Sequence, residues 1–180
     1  MIIGITGTLG AGKGTAAQYL AQKHNFVYYS VRNFIAEEVL RRGLLVNRDT
    51  ITQVANDMRR VHGSDYVTRQ LFVHVVKEQR SVVVESIRTV GEVECLRAHH
   101  GVLWNIEADQ KLRFERASRM PDTSHLNFEQ FVEREKTDEV SSDPSQRLSG
   151  VRALADLTIV NNGTKEEYYQ KIEAALQGKS

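Results

Sequence analysis

A single cysteine in 180 residues, Cys95, excludes an intrachain disulfide, and a reducing compartment is the expectation. On a short amphipathic helix it reads as a buried small hydrophobe rather than a nucleophile. Proline is nearly absent: Pro121 and Pro144 both fall in one polar stretch, so no proline break interrupts the rest of the chain. Net charge is scarce too. The 24 basic residues against 23 acidic ones leave +1, with no bulk field for nucleic acid or an anionic membrane. The apolar runs are too short to cross a bilayer, and Met1 leads into an apolar strand without a basic leader or cleavage pattern. No membrane, no nucleic-acid partner and a cytoplasmic location are therefore expected. The six histidines lack H-E-x-x-H spacing, and no N-K-x-D element marks a guanine-reading switch. Arg59-Arg60 and His99-His100 are isolated pairs without interleaved aromatics and read as helix-end or surface residues. With 41% hydrophobic residues and this length, one domain spanning residues 1–180 can bury its own core.

What the chain does have is concentrated at its start. An apolar run from Ile2 to Thr6 breaks into Gly7-Thr-Leu-Gly-Ala-Gly-Lys-Gly-Thr15. Gly7, Gly10, Gly12 and Gly14 are expected to let the backbone curl so that successive N–H groups face one point. A helix expected to start near Lys13 aims its unpaired N–H groups and positive dipole end at the same point. Lys13 supplies a mobile cation for outer phosphates, and the Thr15 hydroxyl is a candidate Mg²⁺ ligand. The pattern G-x-x-x-x-G-K-[ST] is met at Gly7, Gly12 and Lys13, with Gly14 intervening before Thr15. The loop is therefore read as a phosphate cradle, with Gly7, Gly10, Ala11, Gly12, Lys13, Gly14 and Thr15 as its nucleotide-binding residues.

Downstream, strand-like and helix-like patterns alternate, which predicts an α/β fold with a parallel sheet between helical layers. Strands are expected at Ile2–Thr6, Phe26–Tyr29, Ser81–Val84, Val102–Ile106 and Leu157–Val160. Helices are expected at Lys13–His24, at Val31–Arg42 closed by Gly43, at Asp49–His62 and at Asp65–Gln79. Others are expected at Glu92–Ala98, at Gln110–Met120, after Asn127 and after Thr164. Ile51, Val54, Ala55, Met58 and Val61 follow the spacing of one helical face, and Thr50 with Gln53 has the form of a capping box. His74, close to the stripe of Val67, Leu71 and Val75, reads as a hydrogen-bonded core histidine.

Transfer of a γ-phosphoryl group needs a cradle, Mg²⁺, cations around the moving charge and an acceptor held in line. Glu85, at the end of the Ser81–Val84 run, stands where the metal's outer-shell acid is expected; a carboxylate capping a nearby helix is the alternative. Arg113, Arg116 and Arg119 recur every third residue, and Arg88 falls just beyond a strand, at the edge where open sheets bind ligands. Arginine suits bidentate phosphate contact. The polar stretch from about 120 to 150 has the composition of a lid that excludes water.

These residues resemble the P-loop nucleoside monophosphate kinases, adenylate kinase-related proteins above all, and more loosely the dephospho-CoA kinases. Gly7–Thr15 is similar to the G-x-x-G-x-G-K-G-T loop. Tyr29–Ile35 resembles the acceptor-site segment S-T-G-D-x-[LI], and Arg42–Asp49 the element that covers the acceptor base. Glu85-Ser-Ile-Arg88-Thr89 stands where the family has D-G-F-P-R-T, and the stretch from Asp156 through Thr164 resembles the last strand and adenine-side loop. The resemblance implies a three-layer P-loop NTPase fold with five parallel strands in the order 2-3-1-4-5. It also implies a helical acceptor-binding insertion near 31–75 and a short lid near 120–150. It implies ATP and Mg²⁺ as cofactors and a small nucleotide-like acceptor, a nucleoside or deoxynucleoside monophosphate. Lys13, Arg88, Arg116, Arg119 and Arg134 would be catalytic cations, Thr15 and Glu85 would serve the metal, and Asn162 and Gly163 would border the adenine. Ser30, Arg32, Leu45, Val46 and Arg88 would line the acceptor site. The sequence departs from the pattern where Val31-Arg32-Asn33 replaces T-G-D and where Ser86-Ile87 replaces Gly-Phe-Pro. Dephospho-CoA as acceptor, or a nucleotide-binding regulatory protein with slow ATPase activity, are the alternatives these departures leave.

Overall fold

The computed structural model describes residues 1–139 and 147–178. Five strands, β1 (Ile2–Gly7), β2 (Val27–Ser30), β3 (Val82–Glu85), β4 (Val102–Glu107) and β5 (Leu157–Val160), form one all-parallel sheet in the order β2-β3-β1-β4-β5. The register pairs Ile5 with Glu85 and Trp104, Ser30 with Glu85, and Glu107 with Val160. The ends of all five strands therefore lie along one carboxyl edge, where β-to-α loops converge.

The sheet is covered on both faces because its strands are apolar on both. Ile3, Ile5, Val83, Trp104, Ile106 and Ile159 pack on one side against α1 (Lys13–His24) and α9 (Lys165–Gln177). Val82, Val84 and Leu103 pack on the other against α2 (Val31–Arg41), α3 (Arg48–His62), α4 (Tyr66–Val75), α5 (Val90–Ala98) and α8 (Leu148–Ala153). Two separate apolar clusters result, one per face, as parallel sheets require. The remaining described helices, α6 (Gln110–Ala117) and α7 (Phe128–Glu139), follow β4. Helices α2, α3 and α4 form an insertion between β2 and β3. Part of the expected lid, residues 140–146, lies outside the described residues.

Several boundaries differ from expectation for local reasons. Helix α3 is capped by Asn47, whose side chain accepts from the Thr50 N–H while Thr50 returns the bond, so Thr50 is the third helical residue and not the cap. The boxes at Thr164 with Glu167 and at Asn127 with Gln130 form as expected. Helices α4 and α6 close earlier, at Val75 and Ala117. His74 then faces solvent rather than the core, while Val67, Leu71, Phe72 and Val75 are buried.

Candidate functional site

The loop between β1 and α1 departs from extended geometry at three glycines: φ is +136° at Gly7, +76° at Gly10 and +107° at Gly12. These are left-handed conformations that an L side chain reaches only with strain. Space is short as well. A Cβ at Gly10 would overlap the Arg113 carbonyl oxygen, and one at Gly12 would overlap the Asn161 amide nitrogen. Gly14 differs from expectation. It lies inside α1 with open space where its side chain would be, so it leaves the helix bare rather than bending the loop.

Helix α1 begins at Lys13 with no side-chain cap and no acidic residue in its first turn. Among the described residues, the N–H groups of Gly12, Gly14 and Thr15 have no protein acceptor, and the Thr15 hydroxyl has no hydrogen-bond partner. Lys13 folds back so that Nζ donates to the Thr8 carbonyl at 2.9 Å. Unpaired N–H donors at a helix start, the helix dipole and a local ammonium are the chemistry that favours a polyanion.

The loop is braced from behind. Asn161, buried after β5, donates from Nδ2 to the Ala11 carbonyl at 2.8 Å, and the Tyr168 hydroxyl donates to the Gly12 carbonyl at 3.1 Å. Burial pushes that phenol well above its ordinary value, which keeps it a donor. Arg113 is buried: it donates from Nε to Ala108 at 2.8 Å, reaches the Leu9 carbonyl at 3.4 Å, and pairs with Glu135. Arg116 donates to the Gly10 carbonyl at 3.5 Å and to the Asn161 carbonyl at 3.0 Å. The three arginines of α6 and its end therefore separate. Arg113 and Arg116 hold loop carbonyls, while Arg119 is exposed and its guanidinium has no partner among the described residues. Asn162 accepts from the Asp109 N–H at 2.8 Å beside this loop, and Gly163 follows it at the surface. Asn161, Tyr168 and Arg113 escape sequence reasoning as supports of the loop, because their targets are carbonyls more than a hundred residues away.

Glu85 closes β3 next to the end of β1, largely buried. Its carboxylate accepts from the Ser86 hydroxyl at 2.7 Å, from Ser30 at 3.3 Å and from Tyr28 at 3.5 Å. Burial, and then the charge of Glu85, pushes the Tyr28 phenol up to about 12. Ser86 adopts φ +75°, a left-handed turn that carries the chain away from the edge. The turn is fastened to β1: the Ser86 and Ile87 N–H groups donate to Ile5, and the Thr6 hydroxyl donates to Ile87 at 2.8 Å. Arg88 comes next, so the same edge presents Ser30, Glu85, Arg88 and the glycine loop. Ser30 has a second task as the cap of α2, accepting from the Asn33 N–H at 3.3 Å.

Ion pairs reach from the α6–α7 region to the insertion. Arg32 pairs with Asp122, and Arg134 donates to Asp49 at 2.6 Å. Arg134 makes no bond to the glycine loop among the described residues. It borders a cleft of about 590 Å³ between α3 and α7, whose walls include Arg48, Gln53, Asn56 and Glu133. Leu45 and Val46 sit on the loop between α2 and α3, with Leu45 83% exposed. Arg59 also departs from expectation: it is buried, not a surface residue.

The residues fit ATP and Mg²⁺ in kind. Among the described residues the cradle's N–H donors and the Thr15 hydroxyl have no protein partner. Among the described residues no group of three or more His, Cys, Asp or Glu could hold an ion by itself.

Comparison with known proteins follows the same lines. The profile of the AAA domain family matches residues 3–139. The UPF0200 protein of Methanocaldococcus jannaschii is 30% identical over 182 residues, covering 98% of this chain and 89% of that protein. Among solved structures, TT1252 from Thermus thermophilus superposes with a TM-score of 0.64 at 23% identity, over 100% of this chain and 98% of that one. Shikimate kinase from Aquifex aeolicus gives 0.62 at 18% identity, over 99% and 98%. The architecture is that of P-loop kinases.

Proposed function

The chain belongs to the AAA domain family and to the UPF0200 proteins, and from that membership and the site geometry we propose an ATP- and Mg²⁺-dependent phosphotransferase. Its acceptor in this reading is a small phosphorylated molecule, a nucleoside or deoxynucleoside monophosphate, and it acts in the cytoplasm. The observation that carries it is the cradle: three glycines at positive φ lead into an uncapped helix start whose first N–H groups have no acceptor among the described residues, beside Lys13 and one strand away from Glu85.

In this reading the N–H groups of Gly12, Gly14 and Thr15 bind the donor phosphates, and Asn162 and Gly163 border the base. Asn161, Tyr168, Arg113 and Arg116 keep the loop carbonyls turned back so that the donors stay pointed at the ligand. Lys13 exchanges its bond to the Thr8 carbonyl for phosphate oxygens. The Thr15 hydroxyl and Glu85 would hold Mg²⁺, which would neutralise charge on the phosphate oxygens. Arg88 orients the acceptor phosphate at the sheet edge, with Ser30, Arg32, Leu45 and Val46 around the acceptor. Arg119, exposed beyond α6, is the cation available to approach the transferring group.

Lys13→Ala tests this reading. Phosphate transfer from ATP to a panel of mononucleotides and dephospho-CoA is expected to fall by about 10²-fold or more, with the melting temperature unchanged. Dephospho-CoA as the accepted substrate would correct the acceptor. ATP hydrolysis indifferent to every acceptor would replace the kinase by a slow ATPase.

A further inference from the structure

A buried ion pair lies away from the cradle. Arg59 of α3 donates from Nη2 to Oε1 of Glu92 at 2.7 Å, with side chains 5% and 0% exposed. The other carboxylate oxygen of Glu92 accepts the backbone N–H groups of Arg88 at 2.7 Å and Thr89 at 3.2 Å. One carboxylate thus joins a helix of the insertion to the backbone that carries Arg88. Two further contacts reinforce the joint. The Thr89 hydroxyl donates to the Ser64 carbonyl at 2.8 Å. Gly91 packs so closely on the α3–α4 turn that a Cβ there would overlap the Ser64 hydroxyl and lie 3.1 Å from the Asp65 nitrogen. The ties from the insertion to the α6–α7 side are of another kind: Arg32–Asp122 and Arg134–Asp49 are partly exposed pairs that solvent screens and that part at little cost.

We propose that Arg59 and Glu92 are positioning residues for Arg88, and that through them the insertion is fixed to the β3 edge, so the acceptor meets a preassembled Arg88. This rests on the kinase reading for the role of Arg88, but not for the mechanical link itself. With the Arg59 guanidinium removed, the buried Glu92 carboxyl loses the partner that fixes one of its oxygens, and its hold on the Arg88 backbone is no longer fixed.

The test uses the whole chain and four variants: Arg59→Met, Arg59→Lys, Glu92→Gln and the double Arg59→Met/Glu92→Met. Amide hydrogen exchange is followed with and without a nonhydrolysable ATP analogue. In Arg59→Met the Arg88 and Thr89 amides are expected to lose about tenfold or more of their protection, while analogue affinity stays within about twofold. Arg59→Lys is expected to recover part of that protection. If Arg59→Met unfolds globally, the double variant is expected to regain the fold, since an apolar pair avoids the buried charge, without regaining protection at Arg88. On whichever mononucleotide the wild type phosphorylates, acceptor KM is expected to rise at least tenfold with ATP KM unchanged. Unchanged protection at Arg88 in folded Arg59→Met overturns the proposal, as does recovery of it in the double variant. A wild type that binds the analogue but phosphorylates nothing sinks the kinase reading instead, and the exchange data still decide the link.

Discussion

Two glycines of one motif are expected to respond to the same substitution with opposite signs. Gly10 has φ +76°, and a Cβ there would overlap the Arg113 carbonyl oxygen and lie 2.9 Å from its carbonyl carbon and Cα, all backbone atoms of α6. The left-handed conformation alone costs an alanine about 1–2 kcal/mol. Overpacking against backbone that cannot rotate aside adds roughly 1–3 kcal/mol. Gly10→Ala should therefore lose about 2–5 kcal/mol, which for a chain of this size lowers the melting temperature by about 5–15 °C. Gly14 lies within α1 with nothing within 4 Å of the added carbon. Gly14→Ala gains up to about 1 kcal/mol of helix propensity and should melt about 2–4 °C higher. The loop geometry gives the functional half of the comparison. Shifting Gly10 swings the carbonyl that Arg116 holds and misdirects the N–H groups that follow, so analogue affinity should fall about tenfold or more. Thermal unfolding and titration calorimetry on the two purified variants suffice. Equal shifts of the two melting temperatures, or wild-type analogue affinity in Gly10→Ala, would refute the assignment of the cradle to the left-handed glycines.

Asn161→Ala removes the donor to the Ala11 carbonyl from a buried position, at a cost of about 1–3 kcal/mol by chemical denaturation, and analogue affinity should weaken several-fold because the loop loses its brace. An alkaline limb is expected as well. Tyr28 holds its proton up to about 12 in the folded chain, against an ordinary value of 10.0, with burial the larger cause and Glu85 the next. The folded state thus binds more protons than the unfolded one between those values, so this contribution is intact below pH 10 and drains as pH rises from 10 toward 12. Tyr28→Phe should flatten stability against pH in that window, and an unchanged slope between pH 10 and 12 would refute the raised proton affinity of the folded Tyr28.

Whatever depends on neighbours along the chain was legible before the fold was known. The glycine loop is visible because left-handed backbone near a helix start demands glycine within a few residues. The Val82–Val84 strand and the boxes at Asn127 and Thr164 are equally local, set by branched side chains and by groups three residues apart. Even there, nearness left choices open: Thr50 has the chemistry of a cap, yet Asn47 takes that place and Thr50 answers it. The face His74 presents depended on where α4 stops, and Gly14 resembled its loop neighbours only in name. Tertiary structure alone decided the long-range polar contacts. Arg59 looks like one of a surface pair until Glu92, 33 residues on, is packed against it, and Arg113 and Asn161 reach the glycine loop only once β4 lies beside β1 and β5 beside β4. A buried charge or amide has to find a partner, but its own sequence neighbourhood does not say which one. That partner is supplied by the order in which the strands are laid side by side.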